Sequence, residues 1–212
     1  MTLFTTIGIN AFAQEGYVLF VTPKNYVYDE FITPGIGVVS PGDVTVTFLW
    51  APVETPDPLG SGVPTSGISN VGSGWSTVAS MLSSGWTVAQ NASSGNAEAD
   101  VAVTSQGGIN YNGGSDFPAE NMTGGNAYEF VVIGWDNLTG AATLENAMGD
   151  EVPMAWSNPF DYATGATVTA TVEEFSESGM NPFGVAPVPE PASLALAGLG
   201  GFSLLFIRRR KS

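Results

Sequence analysis

The chain has 212 residues, no cysteine, no histidine, and 20 acids against five cations, for a net charge of −15. Without cysteine there is no thiol chemistry, disulfide or zinc-thiolate site, and without histidine there is no Ser-His-Asp or Cys-His arrangement and no imidazole metal ligand. Nineteen of the acids and a single cation, Lys24, fall within residues 14–186, a net −18 that leaves nothing to neutralise a phosphate backbone and excludes nucleic acid as a partner.

In chain order, Leu3 to Phe12 is mostly apolar, and Ala11-Phe12-Ala13 before Gln14 has the small-x-small form of a signal-peptidase site. Residues 1–13 therefore read as a signal peptide cut between Ala13 and Gln14. No Lys or Arg precedes Lys24, a departure from the usual charged n-region that points to a start upstream of Met1. Residues 14–186 form one secreted domain, long enough to bury a core without disulfides.

Within it, Tyr17 to Val21 and Tyr26 to Ile32 are weak strand signals. Val44 to Trp50 alternates, with Val44, Val46, Phe48 and Trp50 on one face, and predicts a half-buried antiparallel strand. The Gly-rich stretches Thr65 to Gly74 and Ser105 to Ser115 read as long, mobile loops. Ser76 to Ser84 places Val78, Met81 and Leu82 on one helical stripe, with Gly85 as a stop.

Asp100 to Thr104 is another weak strand. Phe130 to Trp135 is apolar throughout, as a central strand covered on both faces requires. A second short helix spans Ala141 to Met148, and Thr167 to Val172 alternates as a further strand. The sum is a mainly β fold, an antiparallel sandwich of jelly-roll or immunoglobulin-like character with one or two short helices.

Chemistry in this body is restricted to carboxylates, amides and indoles. A glycosidase needs two carboxyl groups about 5–10 Å apart, and Glu129 with Asp136, then Glu173 with Glu174, are the first pairs to consider; chance pairing in an acid-rich chain is the plainer reading. Hard-oxygen pairs in turns, Asp116 with Glu120, Asp136 with Asn137, and Asp150 with Glu151, offer weak calcium sites, although no loop has EF-hand spacing. Among the tryptophans, Trp50 and Trp135 belong to the core, whereas Trp75 and Trp86, in Gly/Ser-rich surroundings, are the candidates for an exposed sugar-stacking surface. The sequons at Asn91, Asn121 and Asn137 are incidental.

The tail, residues 187–212, joins three parts. Val188, Pro189, Glu190 and Pro191 form an extended Pro-Glu-Pro segment. An apolar stretch follows, carried by Ala192, Leu194, Leu196, Leu199, Phe202, Leu204, Leu205, Phe206 and Ile207, and then the basic cluster Arg208, Arg209, Arg210 and Lys211. As a helix the 16 residues from Ala192 to Ile207 span about 24 Å, short of the roughly 30 Å hydrocarbon core, so the tail is a marginal and transient membrane anchor with its basic end cytoplasmic.

Val188-Pro189-Glu190-Pro191-Ala192-Ser193, the Leu/Ala/Gly run and the terminal Arg-Arg-Arg-Lys resemble the PEP-CTERM sorting signal of Gram-negative environmental bacteria. The resemblance implies recognition by the membrane protease exosortase, removal of the anchor, and delivery of the ectodomain to the cell envelope or exopolysaccharide matrix. Gly107 to Gly114, Phe130 to Asn137 ending in Trp-Asp-Asn, and Ser157 to Phe160 resemble other PEP-CTERM ectodomains more loosely. The expectation is an exported structural or interaction protein without catalysis or resident cofactor, with a polysaccharide-binding module and then a carboxylate glycosidase as alternatives. Its processing partners are exosortase and signal peptidase, its transient site the inner membrane, and its further partner class exopolysaccharide.

Overall fold

The computed structural model describes residues 15–29, 42–55, 73–93, 97–98, 100–104, 106–137, 140–168 and 172–185. The signal segment and the tail from residue 186 onward, and with them Ala13, Gln14, Val188 to Pro191, the anchor and the basic cluster, lie outside these residues. No helix among the described residues is long and apolar enough to cross a membrane.

The chain runs β1 (Glu15–Val18), β2 (Val27–Asp29), β3 (Val44–Pro52), α1 (Ser73–Ser83), β4 (Thr87–Val88), β5 (Gln90–Asn91), β6 (Ala97–Glu98), β7 (Val101–Ala102), β8 (Phe117–Thr123), β9 (Ala127–Asp136), α2 (Leu144–Gly149), β10 (Met154–Trp156), β11 (Phe160–Ala163) and β12 (Phe183–Val185), with a 3-10 turn at Tyr111–Gly113. It is mainly antiparallel β with few short helices. The larger sheet is built on β3 and β9, paired from Val44↔Asp136 to Pro52↔Tyr128. β10 and β11 share the outer edge of β9, and β4 and β7 share that of β3. A second sheet has the order β1-β8-β5-β6.

The period-2 geometry of a strand sends alternate side chains to opposite faces, and here both faces are covered. Val44, Val46, Phe48 and Trp50 of β3, with Tyr128, Phe130 and Val132 of β9, meet Val18, Phe117 and Ala119 of the second sheet in one core. Leu49 and Ala51, with Val131, Ile133 and Trp135, face the other way, against Trp75, Val78 and Met81 of α1 and Leu144 and Ala147 of α2. β9 is thus the doubly covered strand its apolar run predicts. β3 differs from the half-buried expectation: Thr45 and Thr47 on its second face are buried as well. Threonine is neutral and β-branched, so a strand carrying it can be covered without burying charge.

Aromatic rings fill the core between the sheets. Phe48 lies 5.0 Å from Phe20, 5.5 Å from Phe117, 5.1 Å from Phe130 and 5.5 Å from Phe175, centroid to centroid. Phe175 comes from a turn near the end of the body, so a segment without regular structure closes the core.

The helices lie where their stripes indicate. α1 starts three residues ahead of the expected Ser76, and Gly85, at φ +109°, supplies the left-handed stop. α2 begins only at Leu144, because the Thr143 side chain caps it by accepting from the Asn146 amide at 3.3 Å.

Two expectations fail. Among the described residues of 167–172, Thr167 and Val168 form a bend and turn and Val172 lies outside any strand, with Val168 61 % exposed. No strand pairing involves Thr167, Val168 or Val172 among the described residues, and 169–171 lie outside them. In the described part of Ser105 to Ser115, Gly107 to Ile109 is buried and packed, while Asn110 and 112–115 are exposed as a loop would be. Ile109 is fully buried, and the Gly107 carbonyl accepts from the amides of Tyr26 and Val27. Gly107 sits at φ +74°, and a Cβ there would stand 1.9 Å from the Val27 carbonyl oxygen. Glycine at that position serves close backbone approach, which a sequence reads only as looseness. Of the stretch Thr65 to Gly74, residues 65–72 lie outside the described residues.

Candidate functional site

Glu129 and Asp136 stand at the two ends of β9, seven residues apart. At about 3.3 Å per residue that is roughly 23 Å, and their odd and even positions send them to opposite faces. The pair cannot flank a glycosidic bond. Register instead sets Glu129 opposite Asp161 of β11, where directly opposed Cβ atoms lie about 4.5–5.5 Å apart. Asp161 is exposed and Glu129 half-buried, a juxtaposition of two acids visible only once the pairing of β11 is known.

Glu173 and Glu174 serve their backbone. The Glu173 carbonyl accepts from the Tyr162 hydroxyl at 3.0 Å, and the Glu174 carbonyl accepts from the Glu177 and Ser178 amides to open a turn.

The calcium pairs are likewise separated or exposed. Asp116 and Glu120 are four residues apart along extended chain, roughly 13 Å, whereas one ion takes oxygens at about 2.3–2.6 Å. Asp136 and Asn137 hold the sheet end through their main chain, donating to the Pro153 carbonyl at 2.9 Å and the Asp43 carbonyl at 2.8 Å. Asp150 and Glu151 are exposed in the turn that ends α2. No group of three or more acidic side chains that could hold a metal occurs among the described residues.

The tryptophan assignment is half corrected. Trp50 and Trp135 are buried as expected, but Trp75 and Trp86 are only 4 % and 3 % exposed. Their neighbours in sequence are small, yet Trp75 on α1 and Trp86, just past the turn that ends it, belong to one core with Val131 and Ile133 of the sheet. Trp75 Nε1 donates to the Val152 carbonyl at 2.6 Å and Trp135 Nε1 to the Ala141 carbonyl at 2.7 Å, so both indoles tie helical segments to the sheet. Trp156 is half-buried. Asn91, at a sequon, is buried and structural: its amide donates to the Tyr111 hydroxyl at 2.8 Å, and its carbonyl accepts from the Ser93 amide at 2.8 Å.

Among the described residues, the perturbed constellation is Tyr162 with Asp116. The Tyr162 hydroxyl accepts from the Leu19 amide at 2.9 Å and donates to Glu173, joining three segments. Burial first, and then the charges of Asp116 and Glu173, push its phenol well above the ordinary range, so it stays protonated. Burial also raises the Asp116 carboxyl. Sequence reasoning missed this tie because nothing in the local pattern of Tyr162 names a partner 143 residues away.

The C-terminal signal begins directly after the body. β12 pairs in parallel with β2, Phe183 on Val27 through Val185 on Asp29, and the Phe183 amide donates to the Tyr26 carbonyl at 2.9 Å. Phe183 and Val185 are buried against Gly134, where a Cβ would stand 2.8 Å from the Phe183 ring. Ala186 alone separates this strand from the segment that a family model recognises: the PEP-CTERM protein-sorting motif matches residues 187–211. No curated protein and no solved structure matches the chain. The chain carries a PEP-CTERM protein-sorting motif, which implies an exported protein processed by exosortase and sorted to the cell surface.

Proposed function

We propose that the body is a non-catalytic structural or interaction module of the cell envelope or exopolysaccharide matrix, acting without a resident cofactor and delivered there by its tail. The observation that carries the reading is the sorting motif at residues 187–211, one residue beyond the last strand. The absence of catalysis is supported by the separation of Glu129 from Asp136 along β9. A matrix role fits the charge: a net −18 over residues 14–186 keeps the module soluble and repelled from its own copies at the surface. A sugar-stacking platform loses its support at Trp75 and Trp86, which are core. The module is read as a sandwich whose larger sheet carries a helical outer layer, signal peptidase removes residues 1–13, and the tail anchors in the inner membrane before cleavage.

The experiment is the intact mass of the exported protein from its native host, with and without exosortase. The expected result is loss of the N-terminus near Ala13 and of the tail between Pro189 and Pro191, the second cut only with exosortase present. A mature protein that retains Arg208 to Ser212 in the presence of exosortase would overturn sorting, and recovery away from the envelope and exopolysaccharide fractions would overturn the destination.

A further inference from the structure

The last strand limits how far the sorting motif can stand from the folded body. From Val185 to Pro189 is four residues, at most about 14 Å fully extended, and from Val185 to Ala192, where the apolar stretch begins, at most about 25 Å. The headgroup layer takes roughly 6 Å of the longer span. A body of this length is about 40 Å across, so it overhangs any enzyme that reads the motif at the membrane surface. It also carries a net −18, and its near face is held within two or three Debye lengths of that surface, each about 8 Å at physiological salt.

β12 is no loose end. Phe183 and Val185 are buried, Gly134 makes room for the Phe183 ring, and the ladder to β2 holds the strand from Phe183 to Val185. Reach could be gained only by peeling this strand off.

We propose that β12 is a short tether that presses the acidic body against the site of tail cleavage and thereby brakes processing. The inference rests on exosortase processing of the tail. The test compares the full chain with a variant carrying about nine Gly and Ser residues between Ala186 and Pro187, which adds up to ~30 Å of reach and leaves β12 untouched. Both are cleaved in exosortase-containing vesicles of phosphatidylcholine, with and without anionic phosphatidylglycerol.

The lengthened chain is expected to be cleaved about threefold faster or more, the factor that one RT of relieved repulsion gives, and the gap is expected to widen with anionic lipid. Equal or slower cleavage of the lengthened chain overturns the tether. So does rapid exchange of the Phe183 amide in the full-length wild type, because the strand would then not be held. Wild type left uncut while exosortase cleaves another substrate in the same vesicles overturns the sorting reading and the tether with it. Wild type cut at the rate of the lengthened chain overturns the tether alone.

Discussion

Replacing Phe48 by alanine removes the ring on which the two sheets meet. Phe48 is fully buried on β3, and its ring touches Phe117 of the second sheet, Phe130 of the neighbouring strand, and Phe20 and Phe175 from connecting segments. A buried Phe→Ala change costs about 3–5 kcal/mol through lost transfer energy and the cavity left behind. Each aromatic pair adds roughly 0.5–1.5 kcal/mol beyond area. With four pairs lost at once, the upper part of the range, about 4–5 kcal/mol, is expected, roughly a quarter or more of the usual total of about 5–15 kcal/mol.

The assay is urea unfolding followed by tryptophan fluorescence, with a shifted midpoint at unchanged slope. In a thermal scan the same loss lowers Tm by roughly 10–15 °C. The helix-facing core is separate, so Met81→Ala, expected to cost about 2–4 kcal/mol, should add to the milder Phe48→Leu within about 0.5 kcal/mol. A Phe48→Ala loss below about 2 kcal/mol would refute the shared core between the sheets.

Gly107→Ala should cost more than about 3 kcal/mol, since its Cβ would overlap the Val27 carbonyl at a positive φ, and thermal melting of the variant checks it. Thr47→Val should stabilise by about 1 kcal/mol in urea unfolding, because the Thr47 hydroxyl is buried and has no hydrogen-bond partner among the described residues. Burial raises the Asp116 carboxyl above its unfolded value, so the native state holds this proton more tightly and the group destabilises the fold as pH rises through the folded pKa. Asp116→Asn should therefore raise Tm at neutral pH, and the gain should vanish below about pH 4, where both states are protonated; a gain independent of pH would sink the argument.

Where a residue's role is decided by its own neighbours along the chain, it was legible. The unbroken apolar run Phe130 to Trp135 could only be a strand covered on both faces, and it is. The stripe Val78, Met81, Leu82 closed by Gly85 could only be a short amphipathic helix. The tail carries its meaning in order and charge alone, which is why a family model finds the same residues.

What was not legible is pairing at a distance. β8, Phe117–Thr123, holds Pro118 and Asn121, which depress strand propensity. Asn121 at φ +63° breaks the alternation, so Phe117, Ala119 and Met122 all turn inward in a pattern of neither period. Its partner β1 supplies the missing reason, with a register shift between Glu15 and Gly16 beside that break. The same blindness misplaced Trp75 and Trp86: small neighbours predict exposure only if nothing packs on them, and α1 and the turn after it bury both rings in one core with Val131, Ile133 and Trp135 of β9. Function follows the same division. The destination is written in contiguous residues, whereas any ligand of the body would be set by side chains brought together by β11 on β9 or β12 on β2, such as Glu129 beside Asp161, which no local pattern announces.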